Sequence, residues 1–378
     1  MNRTMALILA SLTVTGIAAA QTSTSTTPGG ATTAQARSCT SYYVPYGKLE
    51  YANAQYSAAF AMFRYCTLLE PKNLDALYLL ARTEVQLELF TTAIEHVTDV
   101  LKVDPKNTRA YVVLAQAYTD QWRKATDRRP YATNMDKALG VLDDAQKIAE
   151  KNGDKAAIWN QRGLIYKYRS DFDKSLAAFH QASHFSPDDS TILFNLGALQ
   201  INLNQMTESI ATLHSAVDLN PNDYTTRAFL AKVLIAHGDF TEAKSQASQA
   251  YRIASAARKD PFVVGEYGMA LYLNKDLSGG RSALESATKL VGATDYPENF
   301  YYLGRVYLDL GLAKEARDAL SKATFLPAGS REPTYWLYLG RSNEANGLKD
   351  DARKAYQQAL KLKPDFKEAT TALGNLGK

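Results

Sequence analysis

Residues 333–366 read PTYWLYLGRSNEANGLKDDARKAYQQALKLKPDF. With Pro333 as offset 1, Trp336, Leu339, Gly340, Gly347, Ala352, Tyr356, Ala359 and Pro364 stand at offsets 4, 7, 8, 15, 20, 24, 27 and 32. This spacing describes two amphipathic helices joined by a turn. Small residues at offsets 8 and 20 let two antiparallel helices approach closely, and large residues at 4, 7, 11 and 24 fill the space around the crossing. A small residue at offset 27 admits whatever packs next. Proline at offset 32 cannot continue the second helix and pushes the residue before it out of helical geometry.

The frame recurs upstream. Phe300, Leu303, Gly304, Gly311, Ala316, Leu320 and Ala323 repeat it, as do Trp159, Gly163, Ser175, Phe179, Ala182 and Pro187. Leu196, Gly197, Ser209, Leu213, Ala216 and Pro221 continue without a gap, followed by Ala231, Gly238, Ala243 and Ala250. Near the start, Gly47, Ala59, Phe63 and Pro71 fit, and then Leu80, Ala81, Ala93, Val97 and Pro105. Weaker copies run from Thr108 and from Pro261. Together these windows resemble the tetratricopeptide repeat closely. The resemblance implies an all-α fold, a right-handed superhelical solenoid of about nine helix-turn-helix repeats starting near 40, 74, 108, 156, 190, 224, 261, 297 and 333. It covers 39–366, with 367–378 as a C-terminal capping helix.

One irregularity stands out. In the third repeat the first helix is expected to end near Tyr118, yet Ala138, which matches the offset-20 alanine, arrives eleven residues late. The insertion 119–137 holds Trp122, Arg123, Lys124, Arg128, Arg129, Pro130 and Tyr131, and is expected to project as a loop or a lengthened helix.

Composition suits a folded chain: 46% hydrophobic and 22% charged residues, with 12 Pro in 378. A formal net charge of +4, spread evenly, is too weak to drive nucleic-acid or lipid-surface binding by bulk field. Arg3, the apolar run Met5 to Ala20 and the small residues Ala18, Ala19 and Ala20 have the layout of a secretory signal at 1–20, with cleavage expected after Ala20. No second apolar run is long enough to span a membrane, so the mature chain is expected in the periplasm or outside the cell. Residues 21–38, rich in Thr and Ser, read as a disordered tether.

Phosphate-cradling and dinucleotide glycine patterns, the paired-histidine zinc helix and the nucleophile elbow are all missing from the sequence. No catalytic residue, cofactor or metal is therefore assigned. His180, His184 and His214 share one face of neighbouring repeats, but nothing completes a convincing ligand set. Two cysteines occur, Cys39 before the first repeat and Cys66 at its offset 27. Because the two helices of a repeat run antiparallel, these thiols are expected within bonding reach as a disulfide stapling the N-terminal end.

In the family resembled, first helices line a concave groove through offsets 2, 5, 9, 12 and 13. Here those offsets give Lys48, Tyr51, Tyr78, Arg82, Arg109, Gln116, Asn160, Lys167, Tyr168, Phe194, Asn202, Lys232, Met269, Tyr272, Tyr301, Arg305 and Arg341 as candidate partner-binding residues. Acidic members are fewer: Asp75, Asp120, Glu298, Asp309 and Glu344. Tyr and Arg offer large contact area and oriented donors to an extended peptide. The carboxylate clamp of chaperone-binding members is not reproduced. The resulting expectation is an interaction scaffold of the cell envelope that holds a protein or peptide, any acidic end toward Lys48, Arg82 and Arg109. The alternatives are a cell-wall glycan or metal-binding protein and a self-assembling subunit.

Overall fold

The computed structural model describes residues 38–253 and 257–376, so the expected signal at 1–20 and nearly all of the tether at 21–38 lie outside the described residues. Among those described, nineteen α-helices occur and no strand. They form nine pairs and a closing helix. The first unit holds α1 (Val44–Ala52) with α2 (Tyr56–Leu69), α3 (Leu74–Gln86) with α4 (Phe90–Val103), and the start of α5 (Thr108–Lys124). α5 is partnered in sequence by α6 (Asn134–Ile148). After it come α7 (Asn152–Tyr168) with α8 (Phe172–Phe185), α9 (Ser190–Asn202) with α10 (Met206–Leu219), and α11 (Tyr224–His237) with α12 (Phe240–Ile253). The last pairs are α13 (Pro261–Leu273) with α14 (Leu277–Ala287), α15 (Pro297–Asp309) with α16 (Ala313–Phe325), and α17 (Pro333–Ala345) with α18 (Lys349–Leu362), followed by α19 (Lys367–Asn375). Two compact units divide the chain within α5, one ending at Gln121 and the other starting at Trp122.

Local chemistry sets the helix starts. Asn73, Asp189, Asp223 and Asp260 each cap a first helix by accepting a backbone N–H through the side chain. Proline opens α13, α15 and α17, at a position where its missing N–H has no helical partner to lose. In eight of the nine pairs, all but α5 with α6, the turn carries a left-handed residue at offset 15: Gly238, Gly311 and Gly347, but also Ala54, Glu88, Ser170, Asn204 and Lys275. Five side chains therefore occupy a backbone region that glycine enters without cost.

Packing within a pair follows the small-against-large rule. A Cβ added to Gly163 would lie 2.6 Å from Cε1 of Phe179, and one added to Gly340 would lie 2.2 Å from Cε1 of Tyr356. Only glycine admits those rings. Where offset 8 is Ala, as at Ala81 and Ala231, the facing offset-24 residue shrinks to Val97 and Ala247. Ser175 and Ser209 donate to the carbonyls of Gly163 and Gly197, each at 2.8 Å, so the close approach also satisfies a buried hydroxyl.

Two expectations need adjustment. α5 does not end near Tyr118 but runs to Lys124, because no Gly or Pro interrupts that stretch. The remaining insertion is short. It contains a 3-10 turn at Arg129–Tyr131, and Arg128 folds back with its guanidinium 4.2 Å from the Trp122 ring. The fourth repeat also starts earlier than expected, α7 opening at Asn152 instead of near 156.

Candidate partner-binding face

Burial sorts the groove candidates sharply. In the first unit Lys48 pairs with Asp75 at 3.1 Å, and the Arg82 guanidinium lies 4.5 Å from the Tyr51 ring. Tyr78 packs half-buried on the core of the first pair, Arg109 is exposed, and Gln116 donates to Asp120 at 3.5 Å. These side chains do not converge on a single point. The Cys39 and Cys66 sulfurs are bonded as a disulfide, with Cα atoms 4.9 Å apart.

In the second unit the middle repeats give scattered contacts. Asn195 donates to Asn160 at 3.0 Å, Arg123 lies 5.7 Å over Tyr168, and Phe194 meets Phe229 edge to face at 5.3 Å. Asn202 is exposed. Burial pushes the Lys167 ammonium below its usual titration range.

The convergence lies on α11, α13, α15 and α17. Arg305 on α15 has its guanidinium carbon 5.2 Å from the Tyr272 ring, 5.5 Å from Tyr301, 5.1 Å from Tyr302 and 5.1 Å from Tyr338. Tyr301 stacks on Tyr335 at 4.3 Å, and Arg341 lies 4.8 Å over Tyr338. Among the described residues no carboxylate forms an ion pair with Arg305. A guanidinium held against four ring faces keeps its planar fork oriented while its charge stays uncompensated.

Not every candidate on these helices offers a side chain outward. Met269, Tyr272 and Tyr301 are 4%, 7% and 6% exposed, so they form the floor of the face. Tyr272 donates its hydroxyl to Asp309 at 2.7 Å, and burial together with that bond pushes its phenol up to about 12. Four residues outside the five offsets belong to the same cluster: Glu266, Tyr302, Tyr335 and Tyr338. Glu266 had a visible signal, being the one charged residue in Pro261–Leu273, the helix of the most continuous apolar character.

Glu266 is 1% exposed. Burial pushes its carboxyl up to about 8, against the pull of the Lys232 ammonium and with a further push from Glu298. Lys232, on α11, reaches Glu298 on α15 at 3.0 Å. That pair links first helices two repeats apart, with α13 between them in sequence. Burial opposes the Lys232 charge, but Glu266 and Glu298 outweigh it and hold its titration above the ordinary lysine range.

The histidines do not assemble. His180 and His184 are exposed, and His214 lies 3.0 Å from Glu242. Among the described residues no three His, Cys, Asp or Glu side chains form a metal-sized cluster. No described helix is long and apolar enough to cross a membrane.

Comparison with known proteins fits this geometry. The family described as Tetratricopeptide repeat matches residues 78–153, 160–224 and 301–366, more than half of the chain. BBSome complex member BBS4 of Bos taurus is 25% identical over 66% of this chain and 44% of its own length, and its Mus musculus counterpart is 27% identical with the same coverage. The chain thus spans less than half the length of the curated relatives it matches. Among solved structures, the APC/C hetero-tetramer Cut9-Hcn1 aligns with a TM-score of 0.62 at 14% identity, over 88% of this chain and 75% of that one, a likeness of fold alone.

Proposed function

The chain belongs to the tetratricopeptide repeat family, and from that premise we propose that it is a protein-interaction scaffold holding an extended partner segment on the first-helix face of its last four repeats. The observation that carries this reading is Arg305, seated among four tyrosine rings and, among the described residues, with no ion-pair partner. Aromatic and arginine side chains concentrated on one rigid face are the composition of interface hot spots, where desolvated anchors supply most of the affinity. An anionic group of the partner is the natural complement of that guanidinium.

The exported setting is part of the same proposal. The apolar leader at 1–20 supports it, and a disulfide between Cys39 and Cys66 suits an oxidising compartment. No reaction is assigned to the chain.

Photo-crosslinking in the native compartment tests the face. A photoreactive residue placed at position 341, beside the tyrosine cluster, is expected to capture a defined partner, and Arg305→Glu in the same chain is expected to weaken that capture at least about tenfold, a loss of one desolvated charged contact. An identical capture pattern from exposed Lys322 on a second helix would overturn the proposal.

A further inference from the structure

Glu266 lies in a helix whose buried positions are otherwise apolar, among them Val263, Val264, Gly268, Met269 and Leu271. An ionised carboxylate in such surroundings costs several kcal/mol unless it is paired and hydrogen-bonded. Its Oε1 has no hydrogen-bond partner. Among the described residues the cation acting on it is Lys232, and that ammonium is engaged by Glu298 at 3.0 Å. Two carboxyl groups therefore share one positive charge. Charge neutrality in this spot is reached with a proton on Glu266.

The walls of the spot are aromatic. The Lys232 nitrogen is 5.6 Å from the Phe262 ring, which tilts against Tyr296 at 5.8 Å. Tyr302 of α15 feels both carboxylates, and Tyr335 of α17 feels Glu298. Lys232 is about half exposed at 46%, whereas Glu298 is 22% exposed and Glu266 is nearly sealed. Lys232 is thus the most solvent-open of the three, and the Glu298 carboxyl that it engages is itself partly exposed. A ring face and two carboxylates form a receptor for a cation, and the protein already seats one there.

We propose that Glu266 and Glu298 form a receptor for a single basic side chain, lysine or arginine, of the bound partner segment, with Lys232 occupying the receptor in its absence. This rests on the reading that the first-helix face carries that segment, and it adds a cation-accepting point to the anion-accepting Arg305. The partner segment then carries both signs of charge.

A seated cation favours ionised Glu266, so its binding releases a proton. In a chain without the Lys232 ammonium, whose pull already acts on the titration near 8, affinity therefore rises with pH as Glu266 ionises. The groups facing Glu266 are Lys232 from α11 and Glu298 and Tyr302 from α15. Glu266 is the group whose titration falls in that range.

The probe for the test is n-butylguanidinium alone, added to the full chain and to Lys232→Ala, with guanidine-free salt at equal ionic strength as reference. Thermal shift and isothermal titration on Lys232→Ala are expected to show saturable binding whose affinity increases about tenfold between pH 6.5 and 8.5. Lys232→Ala combined with Glu266→Gln is expected to lose both the binding and its pH dependence, the isosteric change keeping the fold. Absence of saturable binding to Lys232→Ala, or undiminished binding in the double variant, overturns the receptor. Because the probe is a small cation, that failure leaves the crosslinking result at position 341 untouched.

Discussion

Glu266 titrates near 8 in the folded chain against an ordinary 4.5, so the folded protein keeps a proton that the unfolded chain gives up. Stability from this group is intact below about 4.5 and is lost as pH rises through the folded value near 8. Glu266→Gln removes that slope. The variant is expected to gain on the parent as pH rises from 5 to about 8 and to level off above that, by an amount on the order of a few kcal/mol at the upper end, read as the gap between thermal unfolding midpoints. An equal gap at both pH values would mean that the carboxyl is ionised throughout. In this residue's neighbourhood the sequence was informative only in part. Lys232, Glu298 and Arg305 stand at offsets that the family pattern assigns to the groove, but Glu266, Tyr302 and Tyr338 stand at offset 6 and Tyr335 at offset 3. Their convergence depends on how α13, α15 and α17 are rotated against one another, which no spacing within one repeat specifies.

At the scale of the element, the helix pair is governed by complementary volumes at offsets 8 and 24. Gly163 leaves room for Phe179, and Ala81 accompanies the smaller Val97. Gly163→Ala is therefore expected to cost about 1–3 kcal/mol by overpacking, and Gly163→Ala with Phe179→Val to recover part of it despite losing a large buried side chain. A double-mutant cycle by chemical denaturation would measure the coupling; strictly additive effects would show that the two positions do not share the same space. The pairing was legible in the sequence because both partners lie within one period and the pattern recurs. The length of α5 was less so. A missing helix breaker lets the helix run past Tyr118, and the frame of a repeat cannot register that.

Repeat arrays couple mainly to nearest neighbours, so a staple at one end acts locally. The Cys39–Cys66 bridge closes a loop with a sequence separation of 27, for which chain entropy gives about 3 kcal/mol of stabilisation. Reduction is expected to accelerate amide hydrogen exchange in α1 and α2 while exchange in α17 and α18 stays unchanged. Uniform acceleration along the chain would contradict a local role. At the other end α19 covers the last pair, with Ala369 and Leu376 buried against Tyr356 and Ala359.

The sequence by itself determined the period, the helix pairs, the glycine that faces each large ring and the proximity of the two cysteines. Each follows from contacts within about 34 residues, where a fixed helical geometry turns spacing into position. Only the tertiary structure decided which candidates reach a common point. It set Met269, Tyr272 and Tyr301 into the floor, gathered four tyrosines around Arg305, and carried Lys232 to Glu298 across 66 residues. The physical reason is that the rotation and stacking of successive first helices arise from packing summed over several repeats. Small local differences in side-chain volume accumulate there, so the chemistry of the face is written between repeats and not within one.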